Sequence, residues 1–327
     1  MIEVFGHKVM PGQKAYFTVD GPKYANQAVS QIPVIVLCGA GEGATLWLTG
    51  AVHGHEVTGS QGMWEMANEL DPKDLSGNII MTPVVNVAAF CERRMKSYFD
   101  DFSNMDAVFP GSPDGAFSSR LANILFEAIK AHADLLISFH CFTPMGEGLP
   151  YTIVKSVKSA SPEVNAAAQK YQKAIGFAIN CVVETAGNDG SIDGCCIANG
   201  IPAFVTELGR GAQITREMID VSKYAIRNIL VAMSILPAAK PETFPRQIVI
   251  TDREFMRIDQ GGFMSMSVKA GDIVPAGGEI AQVHYFGKEV HSFKTSRRCI
   301  VLFTHICPAV NDGDFVAMVG YEWHDCK

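Results

Sequence analysis

The stretch Thr49-Gly-Ala-Val-His53-Gly54-His55-Glu56-Val-Thr-Gly59 places an imidazole and a carboxylate three residues apart. It follows the β-prone run Thr45–Val52 and precedes a helix-like segment, so His53 and Glu56 sit where a strand ends. Open parallel α/β sheets build their sites outside the carboxyl ends of the strands. Histidine and glutamate on one such turn reach a single Zn²⁺. Alone, His-x-x-Glu arises by chance in surface loops. Two further strand ends strengthen the signal. His140 closes the apolar run Asp134-Leu-Leu-Ile-Ser-Phe-His140, and Glu207 closes Ala203-Phe-Val-Thr-Glu207, with Gly209 just after it. Together they supply two nitrogens and one carboxylate for zinc, plus a second carboxylate for proton transfer. Catalytic zinc sites use three protein ligands and keep one position open for water.

The elements that position these residues have two textures. From about residue 34 to 236, short apolar runs alternate with longer amphipathic segments. Val34–Cys38, Thr45–Val52, Ile79–Val85, Asp134–His140 and Ala203–Glu207 read as strands, several nearly continuous in Val, Ile and Leu, as buried strands are. Phe117, Leu121, Ile124, Leu125, Ala128 and Ile129 form one helical stripe. Ser161-Pro162-Glu163 starts another helix, and Thr215 caps a third running through Met218, Ala225, Ile226, Ile229 and Met233. This alternation predicts a three-layer α/β/α domain with a mostly parallel mixed sheet. After Pro237, Pro241 and Pro245 the pattern changes to short β-prone runs broken by glycine pairs, which predicts a small all-β module. The expected division is a hydrolase domain over 1–240 and a β-domain over 241–327.

Composition narrows the function. The 327 residues are 48% apolar and 19% charged, with a net charge of -7, which excludes a disordered chain and a polycationic face. Nucleic acid is therefore not an expected partner. The longest apolar run, Ile32 to Ala40, holds Pro33 and Gly39 and is about half the ~20 residues of a membrane-spanning helix. The first residues carry no basic or apolar leader pattern. Nine cysteines, an odd number with no Cys-x-x-Cys, read as reduced thiols, so a cytoplasmic protein is expected. Homo-oligomerisation stays open.

These pieces in this order resemble the succinylglutamate desuccinylase/aspartoacylase family, a branch of the zinc carboxypeptidase-like superfamily. The resemblance runs over essentially the whole chain. It is carried by His53-Gly-His-Glu56, Asn86-Val-Ala-Ala-Phe90, Phe109-Pro-Gly111, the strand-ending His140, and Gly200-Ile-Pro-Ala-Phe-Val-Thr-Glu207-Leu-Gly209. It implies one zinc per chain, held by His53, Glu56 and His140, with Glu207 as general base. It also implies an oxyanion-stabilising arginine shortly after Phe90, for which Arg94 is the candidate and Arg93 the runner-up.

The chain departs from the family before Phe109. Members commonly read Asp-Leu-Asn-Arg, whose Asn-Arg pair holds the substrate's carboxylate; here the residues are Asn104-Met-Asp106-Ala107. A guanidinium fork suits that task and Ala107 cannot perform it. Either the substrate lacks that carboxylate or offers a cation to Asp106, or another arginine, such as Arg210, takes over. Ser138 stands where relatives often place an acid two residues before the ligand histidine, and it retains hydrogen-bonding capacity.

Other polar residues have plainer readings. His55 holds the variable position of the turn and is expected to face solvent or the pocket. Cys141 should point to the opposite face of its strand from His140. Asp189 and Asp193 suit turn chemistry as well as a site. The run Val268 to Gln282 resembles the hammerhead fold of biotinyl/lipoyl carrier domains. No carrier lysine motif surrounds Lys294, so a structural module at the mouth of the site is implied.

The function expected is a zinc-dependent amidohydrolase acting on a small N-acylated amine or amino-acid derivative. Its rivals are a metal-binding relative without catalysis, and a carboxypeptidase-like peptidase.

Overall fold

The computed structural model describes residues 1–288 and 291–326. The strand-ending runs noted above lie side by side in one large mixed sheet. Its centre is Gly41–Gly50, Leu135–Phe142 and Ala203–Arg210, joined in parallel, with Ser76–Thr82 parallel on the other flank of Gly41–Gly50. All eight residues of Leu135–Phe142 are buried, which explains its unbroken apolar sequence. Tyr151–Val157 then pairs antiparallel with Ala203–Arg210 and parallel with Ile179–Thr185.

Both flanks of this centre extend further than the sequence pattern suggested. On one side Val29–Cys38 and the long hairpin strand Gln13–Lys23 add antiparallel. On the other, Ile248–Arg257 adds in parallel to Ile179–Thr185, and Phe315–Asp325, Cys299–His305 and Ile273–Val274 follow antiparallel. The parallel pairings therefore fall into two blocks, joined antiparallel between Tyr151–Val157 and Ala203–Arg210 and flanked by antiparallel strands. Every element after residue 240 is a strand, as expected, but the sheet runs across that boundary. Two sheets among the described residues stand apart from it: the small pair Ile2–Val4 and His7–Val9, and the four-stranded sheet of Gly262–Met266, Glu279–His284, His291–Lys294 and Ala309–Val310.

The helices fix the depth of the site. Thr58–Glu69 lies against Phe139 at Gly59 and against Ser222 of the helix Arg216–Ala232 at Gly62, where a Cβ would meet either side chain. Thr215 caps the latter helix and Ser161 caps Pro162–Ala174, both through their side-chain oxygens. Phe117–His132 buries Leu121, Leu125 and Ile129, the stripe read from its spacing. The nine cysteines are free, and no helix among the described residues is long and apolar enough to cross a membrane.

Candidate metal centre

The strand Gly41–Gly50 ends in a sharp turn. Ala51 takes a left-handed φ of 48°, a conformation costly for a residue with a Cβ. It is held because Val85 N and Asn86 N donate to the Gly50 and Ala51 carbonyls at 3.1 and 3.0 Å. The turn closes with Glu56 N on His53 O at 3.0 Å, which brings both side chains to the strand end. Gly54 meets the backbone of Ala89 so closely that a Cβ there would lie 2.0 Å from its carbonyl carbon. Gly54→Ala is therefore expected to lower stability by about 1–3 kcal/mol and to reduce zinc content, checked by thermal melting and metal analysis.

Sheet register delivers the remaining groups. Glu207 is paired with His140 on one neighbouring strand and with Tyr151 on the other, so three adjacent strands carry His140, Glu207 and Tyr151 in one row. Registered partners point to one face. That face receives His53 and Glu56 from the turn.

His53, Glu56 and His140 are all buried, and one ligand atom from each lies within 4.8 Å of the others. His53 Nδ1 stands 3.0 Å from Glu56 Oε1, and His140 Nδ1 stands 2.9 Å from Glu56 Oε2. The outer nitrogens are also engaged: His53 Nε2 with Asn104 Oδ1 at 2.9 Å, and His140 Nε2 with Ser138 Oγ at 3.0 Å. Asn104 Oδ1 also accepts from Asp106 N at 3.1 Å, which fixes it as an acceptor. His53 must then donate through Nε2, which leaves Nδ1 as the nitrogen that faces the centre and would give up its proton to bind an ion. Two inward imidazole nitrogens and a carboxylate form the donor set of a catalytic zinc site, so the residues fit the ion.

Electrostatics point the same way. Burial raises the Glu56 carboxyl, but His53 and His140 outweigh it and hold it well below the usual carboxylate range. Burial lowers the two imidazoles, and Glu56 outweighs it in both. Glu207 stands differently. Burial, followed by the charge of Glu56, pushes it up to about 8, and its Oε2 has no hydrogen-bond partner among the described residues. A half-buried carboxylate with an unclaimed oxygen beside a metal-type cluster suits proton transfer near neutral pH.

A cavity of about 610 Å³ opens from this centre, a common size for a small-ligand site. Arg93 and Arg94 both line it. The helix Val87–Glu92, capped by Asn86, ends at Arg93 with a φ of 57°, and this left-handed residue turns the chain toward the cavity. Arg94 lies over Tyr98 at 4.6 Å.

Asp106 and Arg210 are placed elsewhere than the sequence suggested. Asp106 does not line the cavity. Its Oδ1 accepts from Ile192 N at 2.9 Å and caps the helix Ile192–Ala198, while burial raises its carboxyl. Arg210 is carried away by a register shift after Glu207, where Gly209 has a φ of 71°, and it hydrogen-bonds Gln213 at a separate surface depression. His55 is buried at the cavity wall, the pocket-facing one of its two expected placements. Asp189 and Asp193 pair with Lys155 at 2.7 and 3.1 Å, a structural use of both acids.

Asn104 is the residue that spacing missed. Its one signal was its place at the head of the altered Asn-Met-Asp-Ala tetrapeptide. Partners of this kind typically change metal affinity 10–100-fold. Asn104→Ala is expected to weaken zinc binding by about that factor with little change in fold, as read by competition with a chromogenic chelator.

The sequence model of the succinylglutamate desuccinylase/aspartoacylase catalytic domain matches residues 42–233. The chain is 25% identical over 294 residues to the N-alpha-acetyl-L-2,4-diaminobutyric acid deacetylase of Halomonas elongata, covering 88% of this chain and 85% of that one. Among solved structures it is similar to a succinylglutamate desuccinylase/aspartoacylase from Rhodobacter sphaeroides, with TM-score 0.84, 26% identity and 96% of both chains covered. The fold is shared with the ectoine utilization protein EutE (DoeB) of Ruegeria pomeroyi, with TM-score 0.85, 24% identity, and 94% and 95% of the two chains covered. With residues 42–233, more than half of its length, matched, the chain belongs to the succinylglutamate desuccinylase/aspartoacylase family.

Proposed function

We propose that the protein is a zinc-dependent hydrolase of the amide bond in a small N-acylated amino acid or amine. The observation that carries this reading is the buried His53–Glu56–His140 cluster with the unclaimed Glu207 carboxylate beside it. The family membership and the deacetylase relative from Halomonas elongata support it. His53 Nδ1, Glu56 and His140 Nδ1 would hold the ion. Zinc there would polarise the scissile carbonyl and make a water acidic near neutral pH.

The chain's own groups do the rest. Glu207 takes the proton of the attacking water as oxygen adds to the carbonyl carbon. It returns that proton to the nitrogen as the C–N bond breaks, leaving a carboxylic acid and an amine. Arg94, which lines the cavity with Arg93 beside it, would stabilise negative charge on the carbonyl oxygen. Asn104 and Ser138 hold the imidazoles in the orientation that keeps Nδ1 inward. A metal-binding relative without catalysis has no need of a Glu207 carboxylate oxygen left unclaimed beside the cluster, and that favours hydrolysis.

The test is a panel of N-acetyl and N-succinyl amino acids and unmodified dipeptides given to the zinc-reconstituted protein. Release of free amine from acylated compounds alone is expected. Cleavage of dipeptides alone, or no turnover of any acylated compound, would overturn the reading.

A further inference from the structure

With Ala107 in place of an arginine and Arg210 directed away from the cavity, the groups expected to meet a substrate carboxylate are missing, and Asp106, the group offered to a cation, is turned to Ile192 N. The cavity holds another candidate, from the far end of the chain. Ile248–Arg257 alternates its faces: Asp252 accepts from Arg297 and Glu254 accepts from Tyr321 on one side, while Arg253 and Phe255 line the cavity on the other. Arg253 is half-buried against Phe255, its guanidinium 5.5 Å from the ring centroid. Among the described residues no acid lies within ion-pair distance of it. Its Nη1 meets the Met318 sulfur at 3.7 Å, and the Tyr151 hydroxyl stands beside the guanidinium. With five donors and no carboxylate partner, the guanidinium keeps capacity for an anionic ligand.

The surroundings define that ligand. Phe142, Ile153, Phe303, Phe315 and Met318 make the walls beside Arg253 apolar. The cavity's two carboxylates, Glu56 and Glu207, belong to the metal centre and to proton transfer. Its remaining charges are Arg93, Arg94 and Lys96, toward the loop after residue 92. Nothing there is free to take a cation, so a substrate entering cationic end first is disfavoured.

We propose that Arg253 anchors the carboxylate of an N-acyl amino acid whose remaining bulk is apolar and packs on the aromatic wall. Arg253 thus does from the C-terminal strands what the altered tetrapeptide no longer does. This assignment deepens the proposed hydrolase reading and rests on it. It makes Arg253 a specificity-determining residue, with the scissile amide presented toward Glu207 in the same cavity.

The test uses zinc-loaded protein carrying Glu207→Gln, so that ligands bind without turnover, and isothermal calorimetry with N-acetyl-L-phenylalanine and its carboxamide. The acid is expected to bind about 10- to 100-fold more tightly than the amide, the range for a hydrogen bond to a charged group. Adding Arg253→Met should bring the two to near equality, and Arg253→Lys should keep part of the preference, which guards against a misfolded methionine variant. No binding of the acid, no preference for it, or a preference unchanged by Arg253→Met overturns the proposal. Hydrolysis of other N-acyl compounds by the unmutated protein would then leave the proposed activity standing and remove only Arg253's role. An intact preference without turnover would show the reverse.

Discussion

Glu207→Gln is expected to lower kcat by about 10²–10⁴-fold, the usual contribution of a positioned general acid–base group, while zinc content stays that of the unmutated protein. Glutamine matches glutamate in shape but cannot take a proton from water. The side chain is not one of the three clustered ligand groups, so metal should remain. The same substitution relieves a strain of charge. Burial and the nearby Glu56 charge push the Glu207 carboxyl up to about 8, which means the folded protein resists its ionisation. A group raised above its usual value loses stabilisation as pH rises through the folded value. The metal-free Glu207→Gln protein should therefore match or exceed the parent's melting temperature above pH 8. Steady-state kinetics, metal analysis and melting curves separate these effects. A variant that loses zinc along with activity would place Glu207 among the ligands instead.

His140→Ala is expected to reduce zinc affinity by more than the 10–100-fold that loss of a supporting partner costs, and to abolish turnover at ordinary zinc concentrations. His140 is buried, stands 2.9 Å from Glu56 Oε2 and carries Ser138 on its other nitrogen. Its removal leaves Glu56 with one imidazole partner and opens the donor set to two groups. The contrast with Asn104→Ala is informative. Asn104 works through His53, so its loss should weaken the ion but spare kcat at saturating zinc. Zinc titration of both variants, followed by activity, distinguishes a ligand from the residue that orients one. Equal behaviour of the two would contradict the assignment.

Most of the centre was legible because each part obeys a local rule. His140 and Glu207 are polar residues closing apolar strands, and His53–Glu56 is a turn between a strand and a helix, so sequence alone placed them at the same end of one sheet. Register then supplied what spacing could not: Tyr151 lies beside Glu207 because of an antiparallel pairing with a strand 56 positions earlier in the chain. Arg253 was invisible for the same reason. Nothing near it in sequence signals a site, and it reaches the cavity because Ile248–Arg257 joins the main sheet rather than a separate module. The change of texture near residue 240 matches a change to strands alone among the described elements that follow. It could not foresee that four of those strands would extend the main sheet. Asp106 and Arg210 show the converse limit. Their charge and position near the motif suggested substrate contacts, yet a backbone amide of the next helix claims one and a bulge carries off the other.

The central claim is that metal held by His53, Glu56 and His140 makes this chain an amide hydrolase. The most direct measurement is turnover of an N-acyl amino acid by chelator-stripped protein as zinc is added back. Activity should be absent at the start, rise in proportion to zinc, and level off at one ion per chain, with no rise in His140→Ala over the same range. Full activity in the stripped protein, or zinc bound at that ratio by His140→Ala, would contradict the account.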